Sequence, residues 1–141
     1  LDHVTSQDVV TFTGSASTGL LLKSNPNILR ENVPFNMEAD SLNAAILGPD
    51  ATPGTAEFDL FVKEVTKEIT VKAGQKCTAV RRIIVPEGMV EVVHIAIGKR
   101  LTQNIIGDPN IEGVRMGSLA GISQLNEVKE KPSSFPLGQF K

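Results

Sequence analysis

The 141 residues suffice for one domain of ordinary size with a real core, and 14 basic against 16 acidic residues leave a net charge of −2, too balanced for a nucleic acid or an anionic membrane surface to be the main partner. The single cysteine, Cys77, excludes an internal disulfide and fits a reducing, cytoplasmic setting; no apolar run reaches bilayer length, since the richest, Ile83 to Ile97, is broken by Pro86, Glu87, Gly88, Glu91 and His94. No secretory leader is legible, and a start at Leu1 that leads almost directly into a strand suggests a segment of a longer protein.

The elements read as α/β. Asp8 to Thr13 is a β-branched and aromatic run that ends at Gly14, and Ser15-Ala16-Ser17-Thr18-Gly19 then opens a helix through Leu20, Leu21, Leu22 and Lys23. A second strand is expected at Val33 to Met37, where Pro34 argues for an edge or irregular position, and a third at Asn43 to Leu47, closed by Gly48-Pro49-Asp50. From Thr55 the period changes: Phe58, Phe61, Val62, Val65 and Ile69 fall three or four apart, with charged residues between them. This predicts an amphipathic helix that begins at Thr52-Pro53 or Thr55 and stops by Gly74. Val80 to Val85 reads as a strand ending at Pro86. Glu87 to Leu101 reads as a helix with Val93, Ile97 and Leu101 on one face. Turns follow Gly107-Asp108-Pro109, then a short helix near Ser123 to Lys131 and a breaker-rich tail at Pro132 to Pro136. No internal repeat is visible.

Three stretches carry candidate chemistry. Cys77 lies in "KAGQKCTAVRR", among Lys72, Lys76, Arg81 and Arg82. A lone cysteine is more often a small buried hydrophobe than a nucleophile. Its place after a helix and beside four cations favours a thiolate, while the carbonyl end of that helix opposes one. Gly14 and Ser15 stand at a helix start whose backbone amides could seat a phosphate, yet the stretch has neither the dinucleotide glycine pattern nor the P-loop lysine, and taken alone reads rather as a tight turn. Glu38 ends a strand as a carboxylate in apolar company; most such groups are solvated or capping, but a partly desolvated one can act as a general base.

The order of the three is informative. A strand running into Gly-Ser at a helix start, a strand ending in Glu, and an amphipathic helix ending in Gly74-Gln75-Lys76-Cys77-Thr78 together resemble the aldehyde dehydrogenase superfamily over roughly Val9 to Gly117. The resemblance implies an aldehyde dehydrogenase-like fold, with residues 1–40 as the C-terminal part of the Rossmann-like NAD(P)-binding domain and 41–141 as the first part of the catalytic domain. It implies that Thr13, Gly14 and Ser15 lie against the dinucleotide phosphates, that Glu38 sits beside the cofactor and activates water, and that Cys77 is the nucleophile. The cofactor would be NADP or NAD, without a metal, and the partners a small-molecule aldehyde and further copies in a homo-oligomer. The chain departs from the family's usual pattern where a Gly-Gly pair is expected after the glutamate, having Ala39-Asp40-Ser41 instead, and again in the tail from Gln124. Pro34 to Asn43 and Thr78 to Pro86 look like the branch that oxidises coenzyme A-linked semialdehydes in aerobic aromatic breakdown, nearer its benzoyl-CoA than its phenylacetyl-CoA members.

Other polar residues call for less. His94 reads as a packing histidine rather than a partner of Cys77, His3 as solvated, and Lys99, Arg100 and Arg115 as a solvated face rather than coenzyme A contacts. Glu64, Lys67 and Glu68 read as helix-surface charges. On the residues alone, two other classes stay open: a noncatalytic α/β binding fragment, and a nucleotide-independent cysteine acyl transferase or hydrolase.

Overall fold

The structure, a computed structural model, describes residues 1–130. The chain forms two compact units, Leu1–Ser41 and the remainder from Leu42.

In the first unit, β1 (Val10–Gly14) and β2 (Phe35–Ala39) pair in parallel, with Val10 opposite Phe35, Thr13 opposite Glu38 and Gly14 opposite Ala39. Helix α1 (Ala16–Lys23) is capped by Ser15, whose Oγ accepts from Thr18 N. Gly19 is the buried residue of α1, and a Cβ there would stand 2.3 Å from Met37 Sδ and 3.1 Å from Phe12 Cδ1. The helix approaches the strand pair closely because this position carries no side chain.

A five-residue helix not expected from the sequence, α2 (Pro26–Arg30), follows α1. Its signal was local: Asn25 accepts from Asn27 N at 2.9 Å, and Pro26 occupies the first turn, where its missing N–H costs nothing. The side chain of buried Asn27 donates to the carbonyls of Leu1 (3.0 Å) and Val4 (2.7 Å) and accepts from Arg30, which fastens the first residues to the unit. The second strand starts two residues later than expected. Val33 is buried and its N–H closes the end of α2 on the Ile28 carbonyl, so it is not available to extend β2. Pro34 precedes β2 and offers its carbonyl to Val10 N.

In the second unit, β3 (Ala44–Ile46) pairs in parallel with β4 (Arg82–Ile84). Helix α3 (Ala56–Thr70) follows its expected course: the Thr55 side chain caps Phe58 N, Glu57 and Asp59 sit in the first turn and Lys67 in the last, matching the helix dipole. Phe58, Val62 and Val65 form its buried stripe and meet Val93 and Ile97 of α4 (Val90–Leu101), together with Leu47 and Ala51. Glu87–Met89 begins as a 3-10 turn before α4, and Leu101 is exposed rather than on the buried face. A bridge between Ile106 and Met116 orders the turns after α4, and α5 spans Ile122–Glu130. The expected breaker-rich tail lies outside the described residues. Among the described residues, no helix is long and apolar enough to cross a membrane.

Candidate active site

Cys77 is exposed, which removes the buried-filler reading. Its setting is built in three steps. Helix α3 ends at Thr70, and the chain then enters a short turn in which Lys72 (φ 53°), Ala73 (φ 54°) and Gly74 (φ 73°) are all left-handed. Two of these carry side chains, so the turn holds backbone strain of about 1 kcal/mol or more per residue. Next, Gln75 closes the turn: its N–H and its Nε2 both donate to the Lys72 carbonyl, at 3.1 and 2.9 Å. Finally, Lys76 to Ala79 forms a tight turn with Ala79 N donating to the Lys76 carbonyl at 3.1 Å, which puts Cys77 and Thr78 at its tip.

The turn is anchored at several points. Gln75 Oε1 accepts from Ala120 N at 2.8 Å, joining residues 45 apart in sequence. Lys76 Nζ pairs with Glu68 on α3 at 2.7 Å, both side chains being about three-quarters buried. Ala79 is fully buried beneath the turn (0% exposed). Asn43, just before β3, donates from its side chain to the carbonyls of Cys77 and Ala79. The four cations around the cysteine are therefore not equivalent. Lys76 is compensated by Glu68, a residue expected to serve only the helix surface, while Lys72, Arg81 and Arg82 remain on the exposed face. Glu64 and Lys67 do form the expected surface pair, at 3.1 Å. His94 is exposed on α4, contrary to its reading as a packing residue.

In the first unit, Thr13, Gly14, Ser15 and Glu38 are all exposed and gather at the carboxyl ends of the parallel strands β1 and β2, the end at which open α/β sheets receive ligands. Glu38 lacks the apolar cover anticipated from its neighbours, because the pleat turns Phe35, Met37 and Ala39 inward and Asn36 and Glu38 outward. Asp40 stands where the usual glycine was expected and adopts a left-handed conformation (φ 57°), one that aspartate tolerates better than most residues. Its N–H donates to the Gly14 carbonyl at 3.2 Å, and its Oδ1 accepts from Ala16 N at 3.2 Å. A carboxylate thus takes one of the amides at the start of α1.

A cleft of about 570 Å³ between α3 and α4 is lined by Phe58, Asp59, Lys63, Lys99, Arg100 and Gln103 among others, and contains none of the candidate catalytic or cofactor residues. Lys99 and Arg100 border it as an exposed face.

A profile of the aldehyde dehydrogenase family matches residues 3–134. The chain belongs to the aldehyde dehydrogenase family. That match extends beyond the stretch that carried the resemblance, into the tail that looked divergent, where α5 is helical. Among curated relatives, the chain is 53% identical over 124 residues to a 3,4-dehydroadipyl-CoA semialdehyde dehydrogenase of Aromatoleum evansii, covering 88% of this chain and 24% of that one. It is 30% identical over 119 residues to an alpha-ketoglutaric semialdehyde dehydrogenase of Bacillus subtilis strain 168, covering 84% and 23%. Among solved structures, betaine aldehyde dehydrogenase from Staphylococcus aureus in complex with NAD+ superposes with a TM-score of 0.79 at 24% identity, covering 89% of this chain and 24% of that one. The α/β fold is thus an aldehyde dehydrogenase fold, and the chain spans about a quarter of the length of the relatives it matches.

Proposed function

We propose that the intact protein oxidises a coenzyme A-linked semialdehyde, 3,4-dehydroadipyl-CoA semialdehyde or a close analogue, to the carboxylic acid with NADP or NAD, using Cys77 as nucleophile and Glu38 as base. The observation that carries this reading is the exposed cysteine at the tip of a strained, multiply anchored turn, in a chain 53% identical to an enzyme named for that substrate. On this reading the first unit is the end of the cofactor domain and the second the beginning of the catalytic domain; the division after Ser41 supports the boundary.

The Cys77 thiolate attacks the aldehyde carbon, and the aldehyde oxygen becomes an oxyanion. The Cys77 N–H is a candidate donor to it, because the opposite end of the same peptide, the Lys76 carbonyl, is already held by Ala79 N. When bound, the nicotinamide supplies the acceptor for the hydride that leaves the aldehyde carbon. The acyl group then remains on Cys77 Sγ as a thioester. Glu38 takes a proton from the water that attacks the thioester carbon, and the C–S bond breaks to release the acid and restore the Cys77 thiolate.

The donor groups at the end of β1 fit a dinucleotide phosphate. Thr13 offers a hydroxyl, the Ser15 hydroxyl is engaged with Thr18, and Gly14 has no side chain of its own although the Phe12 ring packs beside it; all three are exposed. Asp40 occupies the Ala16 amide, so that N–H is not free for a phosphate. Glu38, opposite Thr13 in the register, would border the same cofactor.

Assay of the intact protein with a panel of aldehydes tests the substrate. Reduced nicotinamide should form with the CoA-linked semialdehyde at a kcat/KM at least about tenfold above that for the corresponding free semialdehyde. Equal kcat/KM for the two would remove coenzyme A from the reading.

A further inference from the structure

Asn43 makes four hydrogen bonds to the segment that bears the nucleophile. Its main-chain carbonyl accepts from Arg81 N at 2.8 Å and Arg82 N at 3.1 Å, and its Nδ2 donates to the Cys77 carbonyl at 2.6 Å and the Ala79 carbonyl at 3.2 Å. The two pairs differ in what they require. The main-chain pair would form with any residue at this position and holds β3 beside β4. The side-chain pair needs a group with two N–H donors at this reach. The opposite amide orientation would set Oδ1 against two carbonyl oxygens, so the partners themselves fix the assignment.

This has a geometric consequence for Cys77. Two peptide planes meet at its Cα, and fixing both fixes its φ and ψ. The plane before it is held by the Lys76 carbonyl, which accepts from Ala79 N. The plane after it is held by the Cys77 carbonyl on Asn43 Nδ2. Without Asn43, the second plane lies at the tip of an exposed turn whose closing bond and Arg81 Nη2 contact (3.5 Å) both act on the Lys76 carbonyl, one plane earlier. A second contact of the same side chain, to the Ala79 carbonyl, ties the tip to the buried foot of the turn.

We infer that Asn43 is a positioning residue for the reaction: its side-chain amide fixes the peptide plane that follows Cys77 and, with it, the direction of the Cys77 thiol. The inference rests on Cys77 being the nucleophile. Nothing at residue 43 touches the reacting atoms; the effect passes through the peptide plane. Near-attack geometry is sensitive enough for this to matter, since a misplacement of about 1 Å can cost on the order of a hundredfold in rate.

The test uses the intact protein carrying Glu38→Gln, in which the acyl group should accumulate on Cys77, with NADP and the CoA-linked semialdehyde. In this parent, the amplitude of the first burst of reduced nicotinamide counts competent sites and its rate reports the steps through hydride transfer, the attack by Cys77 among them. Added to it, Asn43→Ala should slow the burst at least about tenfold, and Asn43→Asp should slow it further despite its nearly identical shape, because a carboxylate faces two carbonyl oxygens. Amplitude and NADP affinity should stay within about twofold. Unchanged burst rates in both variants would overturn the positioning role, as would a fall in amplitude alone, which marks a folding defect. Should the Glu38→Gln parent show neither burst nor adduct on Cys77, the functional reading fails and this inference fails with it.

Discussion

The two units hold their candidate residues in different ways. The segment after Leu42 has a core of Leu47, Ala51, Phe58, Val62, Val65, Val93 and Ile97, and it anchors Cys77 from four directions through Asn43, Glu68, Gln75 and Ala79. In the segment before it, Ile28 and Val33 are the buried apolar side chains of any size, and Val9, Leu20, Leu21 and Leu29 are 58 to 72% exposed. Glu38, Thr13, Gly14 and Ser15 ride there on a single parallel strand pair. Parallel pairs ordinarily lie within larger sheets covered on both faces, and an isolated pair is marginal in water. Cys77 therefore has a scaffold of its own within these residues, whereas Glu38 and the Thr13–Ser15 stretch depend more heavily on whatever else covers β1, β2 and α1.

The largest effect expected falls on the self-sufficient side. Cys77→Ala in the intact protein should lower aldehyde oxidation by more than about ten-thousandfold, the scale of removing a nucleophile, while leaving NADP affinity unchanged by calorimetry. Turnover retained in this variant would dissolve the comparison, since Cys77 would then have no chemical role. Next comes the dependent side. The 141 residues expressed alone should fail to bind NADP at micromolar concentrations, because the exposed end of β1 supplies only a minor share of the contacts a dinucleotide needs. Micromolar binding by this piece would show that the first unit is complete as a seat.

Smaller effects sharpen the contrast in stability. Gly19→Val should destabilise the fold by about 1–3 kcal/mol, read from denaturant melts, since even its Cβ would meet Met37 and Phe12. Thr55→Ala should cost about 1 kcal/mol through loss of the α3 cap. If the second unit is the stiffer one, hydrogen exchange should show the amides of α1 opening before those of α3 in both variants.

Much of the fold was legible because local signals and tertiary packing agree. The stripe on α3 has helical spacing, and the same residues, Phe58, Val62 and Val65, are buried. Gly14, Thr55 and Gly74 punctuate the chain where turn and cap chemistry puts them. Helix α2 was hidden by its length: five residues give no period, and its Asn-Pro-Asn start reads equally as a turn. Leu101 followed the period of α4 but lies in its final turn, at the exposed margin of the packed face.

The candidate site was legible only as a set of residue types. That Cys77 is exposed depends on a left-handed turn containing Lys72 and Ala73, which no propensity favours. The Lys76 partner lies eight positions earlier, on the helix that precedes the reversal, and the Ala120 N–H lies 45 positions beyond Gln75. Bonds of that reach leave no periodic trace. The exposure of Glu38 was in principle available from the alternation of β2, once the strand is placed at Phe35 to Ala39 rather than two residues earlier.

The central claim is a division of labour in which Cys77 forms the acyl-enzyme and Glu38 resolves it. Stopped-flow measurement of reduced nicotinamide on Glu38→Gln, with mass spectrometry of the quenched protein, tests it most directly. Glutamine keeps the size and hydrogen bonding of the side chain but cannot take the proton, so the variant should give one equivalent of reduced cofactor per site, retain an acyl adduct on Cys77, and then turn over roughly a hundredfold to ten-thousandfold more slowly than the parent. Full steady-state turnover in Glu38→Gln, with no burst and no adduct on Cys77, would contradict the account.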